Sequence, residues 1–381
     1  MASPRNVSEK PLNICWVTVR KVNDLCSTTT LSLAQGLVNY GHKLTFLNPD
    51  NKKVHQNYPW THVELFKSKI KGRQSSSIAK SAKKWFKKQL KNNFDIVLID
   101  WQIAKFLLPF LEKRGNKIIL IDRSPPADVS LFAKLQWRYW KSAWKYVLNG
   151  KISAGCVVSN AHKNFVSQNF PIPLERIHVL PAGVDPELFV NEKKVSIESE
   201  IRLVYHGRLD KHRGILALPM LAHKLQSNTN TKLTMIGEGD AFEQLKMIEK
   251  QNTWLKIYPK IKHKDIAKII NTQHIGLLPM PDSKVWSLAS PLKRSEYLSS
   301  GLLVYGLKHD GHTLPNSDNS WLRLVEQFDF HDLGVEWIKS LNDEKFLEAS
   351  KASRKYAVDN CSWQKAIDEL NYAVQINKKE Y

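Results

Sequence analysis

The sequence predicts an α/β protein made of two doubly wound halves. Three observations carry this. Short apolar runs, such as NICWVTV (Asn13–Val19) and FDIVLID (Phe94–Asp100), alternate with amphipathic stretches. These runs are apolar on both faces, which suits parallel strands covered by helices. The pattern then restarts after a polar segment, VNEKKVSIESE (Val190–Glu200). A chain of 381 residues, 42% hydrophobic, is long enough to build two cores.

In chain order, NICWVTV is a strand, followed by a polar loop. The helix TLSLAQGLVNYG closes on Gly41, and KLTFLN is the next strand. FDIVLID, KIILIDR (Lys117–Arg123) and AGCVVSN (Ala154–Asn160) are further buried strands, the last followed by a helix from Ala161 to about Asn169. After the linker come the strand IRLVYHG and the helix GILALPMLAHKL, in which Pro219 predicts a kink. The strands TKLTMIGEG, LKIYPKI, IGLLPMP and LLVYGL then alternate with the helices AFEQLKMIEK, HKDIAKIINTQ and PLKRSEYLSS. The expected division is 1–190 for the first domain, 191–360 for the second and 361–381 for a C-terminal helix. A ligand cleft is expected at the carboxyl ends of the strands, between the two halves.

The net charge of +21 is lopsided. Met1 to Asp185 holds 29 Lys and Arg against 11 Asp and Glu, while Pro186 to Tyr381 holds 28 against 25. The first half should therefore meet an anionic partner. Cys15, Cys26, Cys156 and Cys361 lack metal-ligand spacing and read as reduced thiols of a cytoplasmic protein. The N-terminus MASPRNVSEKP has no signal-peptide core, and the longest apolar region is interrupted by Asp100 and Lys105, so no membrane span is expected.

Candidate chemistry clusters in the second half. In YHGRLDKHRG a strand ends, a glycine turns, and Arg208, Lys211 and Arg213 surround a loop that leads into a helix. Helix N-termini and arginine forks both suit phosphate oxygens; a solvated basic loop is the plainer reading of this loop alone. MIGEGD adds a glycine-rich strand end at Gly237. In SPLKRSEYLSSG, Pro291 suits the first turn of a helix, and Lys293 and Glu296 share one face. A lysine near a helix N-terminus suits a diphosphate, and a carboxylate one turn later suits ribose hydroxyls, which donate to it. The alternative is a Lys–Glu surface pair.

The order GRLDKHRG, IGEGD, IGLLPMPDS, SPLKRSEYLSSG resembles the nucleotide-sugar-binding domain of GT-B glycosyltransferases. It is most similar to the large retaining family, group 1 or family 4, that uses UDP- or GDP-sugars. LPAGVDPELF (Leu180–Phe189) is similar to that family's interdomain segment, and CSWQKAIDEL (Cys361–Leu370) to its C-terminal helix, which crosses back to the first domain. The motif resemblance covers Leu180 to the C-terminus; the first half shares only the α/β pattern. It implies two Rossmann-like domains facing across a cleft. It further implies Arg208, Arg213 and Glu296 as the catalytic set. Donor contacts fall to Gly207, Arg208, Arg213, Gly237, the backbone N–H of Leu292, Lys293 and Glu296.

The chain departs from the family in three places. Leu288 stands where a second Glu usually contacts the transferred sugar. The loop RKVNDLCSTTT lacks the usual glycines, so Ser27 and Thr28 are expected to donate there. DRSPP replaces a frequent His, which places Asp122 and Arg123 on the acceptor side; a salt-bridged turn is the alternative. The resemblance implies transfer with retention and a diphosphate leaving group stabilised by arginines. It implies no metal or other cofactor, and the chain has no Asp-x-Asp triplet.

SIAKSAKKWFKKQLKNNF (Ser77–Phe94) interleaves Ile78, Trp85, Phe86 and Leu90 with lysines. Leu131–Lys151 does the same with Trp137, Tyr139, Trp140, Trp144 and Tyr146. Both suit an anionic membrane surface, and the second equally suits a helix packed on the sheet. The expected protein is a cytoplasmic enzyme, peripheral on the membrane, with a lipid-linked or glycan acceptor and no nucleic-acid partner. The alternatives are a GT-B nucleotide-sugar epimerase, a basic membrane- or nucleic-acid-binding module, and a scaffold that has lost catalysis.

Overall fold

The computed structural model describes residues 10–22, 24, 27–90, 93–126 and 131–377; Cys26 and the first nine residues, on which expectations fell, lie outside them. Two compact units are present. One runs to Pro181 and takes back the chain from Trp363 onward; the other is Ala182–Ser362.

The first unit holds strands β1 (Asn13–Val17), β2 (Lys43–Asn48), β3 (Thr61–Glu64), β4 (Ile96–Asp100), β5 (Ile118–Ile121), β6 (Ala154–Val157) and β7 (Ile177–Val179). They form one sheet in the order β3-β2-β1-β4-β5-β6-β7, and every pairing is parallel. The second unit holds β8 (Ile201–Arg208), β9 (Thr231–Glu238), β10 (Leu255–Tyr258), β11 (Ile275–Leu278), β12 (Leu303–Leu307) and β13 (Leu322–Val325). Their order is β10-β9-β8-β11-β12-β13, again all parallel. Both sheets reverse their strand order beside the first strand, the doubly wound plan of a Rossmann-like unit. Strands β4 and β5 are buried at every position, as a sheet covered on both faces requires.

The C-terminal helix Trp363–Ile376 packs into the first unit. Ala366, Leu370, Ala373 and Val374 share a core with Ile14, Trp16, Leu33 and Leu37. Gly36 permits this approach, since a Cβ there would lie 2.5 Å from Ile367. Polar contacts fix the register: His42 Nε2 lies 2.8 Å from the Asn371 side-chain oxygen, and the Tyr40 hydroxyl donates to Asp368 at 2.6 Å.

Two sequence expectations are corrected, and one reading left open is decided. Pro219 does not kink a long helix: the helix is Ala217–Leu225, so the proline sits in its first turn, where a missing N–H costs no intrahelical bond. In the helix Gln74–Phe86, Ile78 and Phe86 are buried in the core and Trp85 packs against Phe86 and Phe94. Of the four apolar residues expected on the cationic face, only Leu90 is exposed. In the helix Leu131–Leu148, Trp140 and Trp144 are fully buried, so this helix covers the sheet.

Candidate active site

Strand order in the second unit reverses between β8 and β11, and open α/β sheets bind ligands at the carboxyl ends of strands at such a point. The residues singled out from sequence gather here. Pairing of β8 with β9 sets Gly207 opposite Gly237 and Arg208 opposite Glu238. Gly207 has φ +127° and Gly237 φ +152°, and a Cβ on Gly237 would fall 1.7 Å from the Gly207 carbonyl oxygen. Only glycine fits at Gly237. A Cβ on Gly207 would stand 3.2 Å from Lys293 Nζ, so the bare backbone makes room for that ammonium.

The loop after β8 orders its cations around one carboxylate. Arg208 donates from Nε to Asp210 Oδ2 at 3.0 Å and from Nη2 to Oδ1 at 2.8 Å. Its Nη1 lies 3.6 Å from Glu238. Arg213 Nε lies 3.4 Å from Asp210, and its guanidinium sits 4.3 Å over the Trp286 ring. Burial opposes the Asp210 charge, but the Arg208 fork and Arg213 outweigh it and hold the carboxyl below its ordinary pKa. The hydrogen bond to Asp210 in turn raises Arg208. Two like charges are thereby held close in fixed orientations.

The helix is Leu292–Ser299, with Pro291 as its extended cap residue, one place before the first turn in which it was expected. It is buried along nearly its whole length, so Lys293 and Glu296 are not a surface pair. Lys293 Nζ lies 4.6 Å from the centre of the Tyr205 ring and donates to the Tyr205 hydroxyl at 3.4 Å. The next residue, Arg294, donates to the carbonyls of Gly311 and Thr313 and ties the helix to the loop after β12. Leu288 is buried, with no carboxylate at its position.

Glu296 is 1% exposed. Its Oε1 is 2.6 Å from His263 Nε2 and its Oε2 is 2.9 Å from His206 Nε2. Burial alone would raise this carboxyl, but the two imidazoles outweigh it and bring the pKa down to about 2. His206, His263, Asp210 and Trp286 were not among the expected site residues. His206 carried a usable signal, its place directly before the Gly–Arg turn; His263 carried none.

The expected acceptor-side residues lie in the first unit and divide. Ser27 opens the helix Ser27–Asn39, but its hydroxyl donates to the Val22 carbonyl and closes the preceding loop. Thr28, beside it, is half-buried. Asp122 does not point into an open site. It is fully buried, and its Oδ2 accepts from the Trp140 and Trp144 indoles at 2.5 and 2.8 Å, with His162 Nε2 at 3.3 Å. The covering helix supplies two N–H donors to Oδ2, while Oδ1 is buried without a hydrogen-bond partner. Arg123 donates to the Leu180 carbonyl at 3.0 Å. At the reversal point of this sheet, Asp100 instead accepts from Thr18 Oγ1 at 2.6 Å and Val19 N at 3.0 Å. Among the described residues no group of three or more His, Cys, Asp or Glu could hold a metal ion. No helix among them is long and apolar enough to cross a membrane.

Comparison with known proteins bears on the fold. Residues 26–188 match Glycosyltransferase Family 4, which is the half where motif reading found only the α/β pattern. No curated protein matches the chain. Among solved structures, a glycosyltransferase from Rickettsia africae is similar at TM-score 0.71 and 17% identity, covering 96% of this chain and 98% of that one. HepE of Anabaena, solved in complex with UDP, is similar at TM-score 0.69 and 12% identity, covering 96% and 100%. Sucrose-phosphate synthase from Thermosynechococcus elongatus is similar at TM-score 0.73 and 13% identity, covering 94% and 98%. The shared fold is that of the GT-B enzymes.

Proposed function

We propose that the chain is a glycosyltransferase that moves a sugar from a UDP- or GDP-sugar to an acceptor hydroxyl with retention of configuration; the match of residues 26–188 to Glycosyltransferase Family 4 and the GT-B fold support this reading. The observation that carries the donor reading is the pair of arginines fixed on Asp210 at the end of β8, beside the buried Lys293 and the N-terminus of Leu292–Ser299. Cations held in place before the reaction stabilise a leaving diphosphate without reorganising. The anomeric carbon–oxygen bond breaks with its electrons leaving on the diphosphate. The acceptor oxygen forms the new bond and passes its proton to an oxygen of the departing diphosphate. Arg208, Arg213 and the Leu292 N–H meet the developing charge; the backbone at Gly207 and Gly237 lets the phosphates approach; Glu296 accepts from the ribose hydroxyls. Arginine does here what a divalent ion does elsewhere, so no metal is required. UDP is the first nucleotide to try, since HepE was solved with it.

We assign acceptor recognition to the first unit and place the acceptor at an anionic membrane surface. From Leu65 to Phe94 the chain carries ten Lys and Arg and no Asp or Glu. Phe66, Ile70 and Leu90 are 69%, 57% and 82% exposed in the same region. Exposed apolar side chains among lysines suit a lipid headgroup surface. The test is turnover of a UDP- and GDP-sugar panel with lipid-linked acceptors in anionic vesicles, the product's anomeric configuration being read by NMR. Retained configuration in a glycosylated lipid supports the proposal. Inversion, or epimerised nucleotide sugar without transfer, refutes it.

A further inference from the structure

Glu296 is a nearly inaccessible carboxylate, a placement that is costly unless the charge is paired and hydrogen-bonded. His263 Nε2 is hydrogen-bonded to Oε1 at 2.6 Å, while His206 Nε2 meets Oε2 at 2.9 Å as a charge contact without hydrogen-bond alignment. A carboxylate offers about four acceptor positions, and His263 takes one, so about three remain.

The two histidines are held differently. His206 lies at the carboxyl end of β8, next to Gly207, and is itself buried. Its backbone N–H donates to the Tyr297 hydroxyl at 3.1 Å, and its ring meets the Tyr297 ring edge-on at 5.4 Å. His263 is the first residue of the helix His263–Ile270, its ring 5.2 Å from that of Phe189 and its side chain 38% exposed. One imidazole is buried beside the carboxylate; the other is partly exposed.

We propose that His206 and His263 are positioning residues that fix the Glu296 carboxylate and aim its remaining acceptor positions at the vicinal hydroxyls of the donor's ribose. This rests on the donor reading given above. Without the two imidazoles the buried carboxylate takes up a proton or turns away, and the ribose loses its acceptor.

The test is calorimetric binding of UDP, GDP and their 2′,3′-dideoxy counterparts to the full chain. The proteins are wild type, His206→Leu, His263→Leu, and the Gln variants, which keep an N–H donor. Wild type should prefer the ribose form of its nucleotide by about tenfold or more, the scale of hydrogen bonds to a charged group. In the Leu variants that ratio should shrink to about twofold or less while dideoxy binding is retained. In the Gln variants most of the ratio should survive. A merely structural role would weaken both forms equally and leave the ratio unchanged, and that result overturns the proposal. His263 is half-exposed, so His263→Leu reads the ratio even if His206→Leu does not fold. If wild type binds no nucleotide, the donor reading itself has failed. Wild-type discrimination that persists in the Leu variants defeats only the histidine roles.

Discussion

Arg208 closes on Asp210 through two hydrogen bonds, at 3.0 and 2.8 Å, so the cation assigned to the leaving group is oriented before any ligand arrives. Arg213 shares the same carboxylate. Removing the Arg208 guanidinium should lower turnover about 10²- to 10³-fold, as for other fixed donors to a developing charge. Arg208→Lys should stay near the Ala value, because a lysine cannot form the fork. Asp210→Asn should cost less, since both arginines remain. Steady-state consumption of nucleotide sugar measures all three, and an unimpaired Arg208→Ala enzyme would remove Arg208 from the mechanism.

Gly237→Ala tests the paired glycines. The new methyl would meet the Gly207 carbonyl oxygen at 1.7 Å, at a backbone φ of +152°. The two strands would have to part, at a cost of more than about 2 kcal/mol. The urea midpoint of the second unit should fall clearly below that of wild type; an unchanged midpoint would mean that the strand ends are looser than they stand here.

Much of this architecture is legible in sequence, for a physical reason. A parallel strand buried on both faces must be apolar throughout, and Phe94–Asp100 and Lys117–Arg123 announce β4 and β5 in that way. The edge strands β3 and β13 and the three-residue β7 were not expected, being short and partly exposed. At the site, Arg208 and Glu296 were legible because local chain chemistry marks them. The Glu296–His263 contact joins residues 33 apart, and nothing local at His263 signals it. Asp122 misled for the related reason that its partners, Trp140 and Trp144, come from a helix 18 and 22 residues further on. The lysine-rich helix misled because its apolar stripe is the one the core requires.

Stability should fall between pH 6.5 and about 4. Burial lowers His274 to about 4, and burial with the nearby His55 lowers His62 to about 4. In this window the unfolded chain binds protons that the folded histidines refuse, so the folded state loses ground as pH drops. His274 shows why: its Nδ1 accepts from the Arg202 N–H at 3.0 Å, and protonation would destroy that acceptor. Urea midpoints across this range measure the loss; a flat profile would count against both assignments.

The membrane assignment predicts that the protein floats with anionic vesicles at low salt and is released as salt screens the lysines. Replacing Phe66, Ile70 and Leu90 together by Ser should abolish flotation without changing the thermal midpoint, since these side chains are exposed. Wild-type protein that stays wholly in the soluble fraction would sink the idea.

The donor site is tested most directly by a thermal-shift panel of UDP, GDP and their common sugar conjugates on wild type and Glu296→Ala. A ligand that binds only the folded state raises the midpoint. The account predicts a clear rise with one nucleotide family, reduced in the variant. No rise with any of them, or an equal rise in both proteins, would contradict it.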